Sequence, residues 1–182
     1  LGAINFLVTI FKMRAPGTVD DNYMEGLSIA VSLGTQDNPP SSLYPNGTHY
    51  HVGGNVIQRG VHLNSDPNDP YAIGIHVGFT DTTTPGTVIE NNIIANKGYA
   101  TDSGTGIYFA QWYMNGFARN VTVQNNILYD WSGLAVYAGN SPVANVRFIG
   151  NAVQNPDQMG SENPLVNSYT VAGVTWSGNT YN

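Results

Sequence analysis

Val121-Thr-Val-Gln-Asn-Asn126-Ile-Leu128 reads as a short strand running into a tight polar turn. Aligned on the second asparagine, the same design returns in Tyr50-His-Val-Gly-Gly-Asn55-Val-Ile57 and Thr87-Val-Ile-Glu-Asn-Asn92-Ile-Ile94. It returns again in Val146-Arg-Phe-Ile-Gly-Asn151-Ala-Val153 and Val174-Thr-Trp-Ser-Gly-Asn179-Thr-Tyr181. Three residues before each asparagine stands a large apolar residue: Val52, Ile89, Val123, Phe148 and Trp176. Immediately before it stands Gly or Asn, the residues that tolerate a left-handed turn. Successive asparagines are 37, 34, 25 and 28 residues apart. This is one coil repeated, with loops of differing length inserted.

A second strand series begins at Gly26-Leu-Ser-Ile-Ala-Val31 and returns as Gly74-Ile-His-Val-Gly-Phe79, Gly106-Ile-Tyr-Phe-Ala-Gln111 and Gly133-Leu-Ala-Val-Tyr-Ala138. Period-two alternation turns Leu27/Ile29, Ile75/Val77, Ile107/Phe109 and Leu134/Val136 inward. Two strand types in fixed order, at a 25–37-residue period, predict parallel strands stacked coil on coil. The expected fold is all-β, a parallel β-helix (β-solenoid) of about five coils with irregular loop insertions. The whole of 1–182 is expected to be one domain, with 1–25 as a capping strand or helix and loop and 26–182 as coils. The start at Leu1 rather than Met suggests a fragment of a longer solenoid or a processed product. The ladder asparagines 55, 92, 126, 151 and 179 should stack at one turn and bond along the axis.

Bulk composition narrows the function. With 12 acidic against 6 basic residues the net charge is −6, which argues against a nucleic-acid partner and an anionic membrane surface. No cysteine is present, so disulfide scaffolds and thiolate metal sites are excluded. The apolar run Leu1–Phe11 is too short to span a bilayer and ends at Lys12 and Arg14. It is expected to cover the N-terminal end of the stack. The sequons Asn46-Gly-Thr and Asn120-Val-Thr suit β-turns as well as glycosylation.

On these repeats, residues 26–182 resemble the right-handed parallel β-helix superfamily, which includes pectate lyases, alginate lyases and epimerases, polygalacturonases and phage tailspikes. The resemblance implies right-handed coils, an extracellular or cell-surface location and a polysaccharide partner. The chain departs from the superfamily's enzyme signatures: Gly-His-Gly and Arg-x-Pro-x-x-Arg are absent, and Asp66-Pro-Asn-Asp69 lacks the His and Glu of the epimerase string. Separately, Gly2-Ala-Ile-Asn-Phe6 and Met13-Arg-Ala-Pro-Gly17 resemble a short segment of subunit I of the haem-copper oxidases. Nothing downstream continues that likeness, and no oxidase function is carried over.

Chemistry is expected on outward positions, because inward ones are committed to packing. Outward residues of the second series are Ser28, His76, Tyr108 and Ala135, and coils about 4.8 Å apart would make His76 and Tyr108 direct neighbours. Such a pair can serve as base and acid in lyase-like or hydrolase-like glycan cleavage, with Arg119 neutralising a carboxylate. Lys97 and Arg59 are further candidates for holding substrate. Ala30, Gly78, Ala110 and Tyr137 continue that face, with small residues leaving a shallow trough. Trp112, Tyr113, Trp131 and Tyr137 are candidate sugar-stacking residues. The alternative is a non-catalytic solenoid, a glycan-binding or structural module of a surface protein or assembly.

Metal sites are weakly drawn. His49-x-His51 puts two imidazoles on one strand face, and Asp66-Pro-Asn-Asp69-Pro could hold calcium or simply form a constrained turn. No other cofactor is implied. Asp20-Asp21 reads as a solvated loop pair rather than catalytic carboxylates. Open solenoid ends would allow self-association.

Overall fold

Each copy of the asparagine motif folds as two short strands joined by a two-residue turn, and the copies stack. The computed structural model describes residues 18–25, 29–33, 50–59, 73–78, 80, 86–96, 105–109, 118–129, 134–138, 143–154 and 174–181. The first coil holds β1 (Thr18–Asp20), β2 (Tyr23–Glu25) and β3 (Ile29–Leu33). The second holds β4 (His51–Gly53), β5 (Val56–Arg59) and β6 (Ile73–Val77), and the third β7 (Thr87–Glu90), β8 (Ile93–Asn96) and β9 (Thr105–Phe109). The fourth holds β10 (Ala118–Gln124), β11 (Ile127–Tyr129) and β12 (Leu134–Ala138). The fifth shows β13 (Val143–Ile149) and β14 (Ala152–Gln154), and the sixth β15 (Val174–Ser177) and β16 (Thr180–Tyr181).

All pairings in the three sheets are parallel. Sheet A runs β1-β4-β7-β10-β13-β15, sheet B runs β2-β5-β8-β11-β14-β16, and sheet C runs β3-β6-β9-β12. The fold is a parallel β-helix, with six coils among the described residues where about five were expected. Within residues 18–25, β1 and β2 pair in register with β4 and β5 and add a coil to the stack.

The core fills the space between the sheets with one residue per strand position. Sheet A contributes Val52, Ile89, Val123 and Phe148, with the partly buried Val19 and the exposed Trp176 ending the same register row. Sheet B contributes Met24, Ile57, Ile94, Leu128 and Val153. From sheet C come Val31, Leu33, Ile75, Val77, Ile107 and Phe109. Full burial of one such side chain stabilises by roughly 1.5–3 kcal/mol. Phe148 stacks on Trp176 at 4.1 Å between ring centroids and meets Phe109 edge-on at 5.9 Å.

At the corner between sheets A and B the asparagines form a continuous ladder. The Asn92 backbone N–H and Nδ2 both donate to Asn126 Oδ1, at 3.0 and 2.9 Å, while Nδ2 also donates to the Val52 carbonyl at 2.9 Å. The same pattern joins Asn55 to Asn92, Asn126 to Asn151 and Asn151 to Asn179. Asn22 bonds to Asn55 in the same way and is a sixth rung, preceded by Asp21 where the other copies have Gly or Asn. Before each rung the backbone is left-handed, at Asp21 (φ 55°), Gly54 (65°), Asn91 (56°), Asn125 (54°), Gly150 (62°) and Gly178 (64°). Backbone groups in the turn also bond from coil to coil, as in Ile93 N–H to Asn55 O at 2.9 Å. No polar group in the turn has to be left without a partner while it is buried.

Sheet C pairs in a different register from the one expected. Ser32, His76, Tyr108 and Tyr137 share a row, where alignment on the leading glycines had placed Ser28 and Ala135. The slips are four residues in β3 and two in β12. Both are even, so the inward and outward faces are preserved.

Candidate functional site

Three outward features of the coil stack carry chemistry. The first is the His76 row of sheet C. His76 and Tyr108 are paired in register, their rings 5.9 Å apart and tilted by 31°. Ser32 Oγ lies 3.1 Å from His76 Nδ1, which fixes the plane of the imidazole. His76 has the outward parity expected of it, yet only 2% of its surface is exposed. A polymer cannot approach a side chain so covered without a rearrangement.

Arg119 is not brought onto that row. It stands on β10 in sheet A, exposed, with its backbone N–H donating to the Thr80 carbonyl at 2.7 Å. Arg59 is placed by register opposite Asn96 in sheet B, and Tyr137 opposite Tyr108 in sheet C. Lys97, Trp112, Tyr113 and Trp131 lie outside the described residues, as do residues 1–17, His49, His62, Asp66 and Asp69.

A second feature, on sheet A, joins residues that the sequence reading had kept apart. His51 Nδ1 lies 2.8 Å from Asp20 Oδ1, and His51 Nε2 lies 2.9 Å from Glu90 Oε1. Asp20 belongs to the first coil, His51 to the second and Glu90 to the third. Gln124 of the fourth coil donates Nε2–H to Glu90 Oε2 at 2.6 Å, and Gly53 N–H donates to Asp20 Oδ1 at 3.0 Å. Asp20 is thus no solvated loop charge.

Gly53 makes the arrangement possible. It shares the register row of Asp20 and Glu90, and a Cβ there would lie 2.7 Å from His51 Cε1. The imidazole, anchored two residues earlier, leans into the vacant slot between the carboxylates. The available signal was a glycine inside a strand, which often marks the close approach of another group.

The charges shift accordingly. Glu90, and after it Asp20, raise the His51 pKa above its ordinary 6.5, against the lowering effect of burial. His51 first, and then Gln124, lower the Glu90 pKa below its ordinary 4.5. Both ring nitrogens of His51 are committed to carboxylates, and among the described residues no group of three or more His, Asp or Glu could hold a metal ion.

The third feature is the outer face of sheet B. Tyr23, Val56, Ile93, Ile127 and Ala152 form one register row, with Tyr129 two residues along in the row of Glu25, Gln58 and Ala95. Tyr23 is 62% exposed, and Ile93, Ile127 and Tyr129 are also exposed. The Tyr23 hydroxyl donates to Glu25 Oε2 at 2.8 Å and lies 3.5 Å from Gln58 Oε1. Glu25 raises the Tyr23 pKa above its ordinary 10.0, so the phenol stays a donor at neutral pH. Among the described residues no helix is long and apolar enough to cross a membrane. Comparison with protein-family models, with curated proteins and with solved structures returned no match.

Proposed function

We propose that this chain is a glycan-binding β-solenoid of an extracellular or cell-surface protein, a polymer lying across the coils on the outer face of sheet B. The observation that carries this reading is the row Tyr23, Val56, Ile93, Ile127 and Ala152, bordered by Tyr129 and by the hydroxyl, carboxylate and amide of Tyr23, Glu25 and Gln58. Four coil steps from Tyr23 to Ala152 give a strip of about 19 Å. Tyrosine offers a rigid apolar face for the C–H side of a sugar and a hydroxyl for its edge. Glu25 beside the strip and a net charge of −6 favour a neutral polymer over a polyuronate.

A panel of neutral and uronate polysaccharides in affinity electrophoresis tests this. Retardation by a neutral polymer is expected, weakened at least tenfold in Tyr23→Ala/Tyr129→Ala, about 1.4 kcal/mol or more. Retardation that is absent, or unchanged in the double variant, sinks the reading.

Cleavage is the second reading, and the contact of His76 with Tyr108, steadied by Ser32, is what favours it. The same polymers are then followed for unsaturated products and reducing ends. Turnover abolished by His76→Ala and by Tyr108→Phe would replace binding alone with catalysis. The 2% exposure of His76 is the reason it ranks second.

A further inference from the structure

We propose that the His51 imidazolium is a proton-dependent clamp that holds the first coil of the solenoid to the third, and that it releases when the ring loses its second proton. The argument is geometric. A neutral imidazole has one N–H and one lone pair. With carboxylate oxygens 2.8 Å from Nδ1 and 2.9 Å from Nε2, a neutral ring would bond one carboxylate and aim its lone pair at the other. Only the doubly protonated ring satisfies both. Each bond is then charge-assisted, the stronger kind.

The clamp spans coils whose strands are not neighbours in sheet A. β1 pairs with β4 and β4 with β7, so Asp20 and Glu90 meet only through the ring. The ring's surroundings confirm that its proton answers to these two groups. Asp20 faces it from β1 and Glu90 from β7; Thr18 and Val88, its register partners, are uncharged. Asp21 lies over the neighbouring turn at Gly54. Arg147, further along the same register row, is engaged by Thr122 Oγ1 at 2.9 Å. Gln124 holds Glu90 by its amide and carries no charge.

The direction with pH follows from the shifts. His51 is raised above 6.5 in the folded chain, so its contribution is complete below about 6.5 and is lost as the pH climbs through the raised value. Glu90 is lowered below 4.5, so its contribution is present above about 4.5 and is lost as the pH falls through the lowered value. The clamp is fully closed between these limits. His51 is 42% exposed, so solvent screening keeps the effect modest, about two- to fivefold in local opening.

The test is NMR on the full chain from pH 4 to 9, reading the His51 ring resonances and the amide exchange of residues 18–25, corrected for intrinsic rates. Expected are a His51 midpoint above 6.5 and exchange in β1 and β2 that accelerates two- to fivefold through that midpoint. Glu90→Gln should lower the midpoint, and His51→Gln should remove the pH-dependent acceleration. A midpoint at or below 6.5 overturns the clamp. So does acceleration that persists in His51→Gln, or, if that variant does not fold, a midpoint unmoved by Glu90→Gln.

Discussion

Asn92 uses every polar atom of its side chain. Its Oδ1 accepts from the backbone N–H and Nδ2 of Asn55, and its Nδ2 donates to Val52 O and Asn126 Oδ1. Truncation to alanine leaves these buried partners short, and a buried group without a partner costs about 1–3 kcal/mol. Asn92→Ala should therefore destabilise by about 3 kcal/mol or more in urea unfolding. Asn92→Asp should be worse despite its equal shape, because a second oxygen would face two acceptors. The ladder was legible from single residues, since an asparagine preceded by a left-handed residue and, at −3, an apolar one is a local pattern. Asn22 carries the same marks, with Val19 at −3 and Met24 at +2. It was passed over because Asp21 occupies the left-handed position, which aspartate also tolerates through its short polar side chain.

At the scale of the element, sheet C shows why the second strand series opens on glycine. Gly74 lies opposite Gly106, and a Cβ on Gly74 would be 2.5 Å from the Gly106 carbonyl oxygen and 2.6 Å from Ile94 Cγ2. The bare backbone lets a core residue of sheet B reach across to sheet C. Gly74→Ala should cost about 1–3 kcal/mol in denaturant unfolding, as overpacking does, with coil 3 losing exchange protection. The same glycines misled the alignment of β3 and β12. Alternation identifies which face of a strand is buried, but it is blind to slips of two or four residues. Register in sheet C was set by the meeting of the coils.

Across the molecule, each coil contacts chiefly its neighbours, so stability should vary along the axis. The last coil is the more open end: Trp176 is 38% exposed, while Leu33 and Met24 of the first coil are buried. Hydrogen exchange should show the Asn92 and Asn126 amides as the slowest and those of β15 as the fastest. Equal protection at both places would contradict a nearest-neighbour stack. Strand partners lie 25 to 37 residues apart at the ladder, so folding should be slow for the chain's size.

The amino-acid sequence by itself determined the parallel coil, the asparagine rungs and the apolar rows, because each depends on residue type at a short, regular spacing. It also brought His76 beside Tyr108, since each lies two residues past the glycine of its repeat, Gly74 or Gly106. Only the tertiary structure decided that His76 is covered, that Arg119 belongs to another sheet, and that Asp20, His51 and Glu90 meet. The meeting at His51 depends on how residues 31 and 39 positions apart are brought side by side, and on a slot left by one missing Cβ at Gly53. No local pattern encodes such a meeting; stacking of the coils creates it.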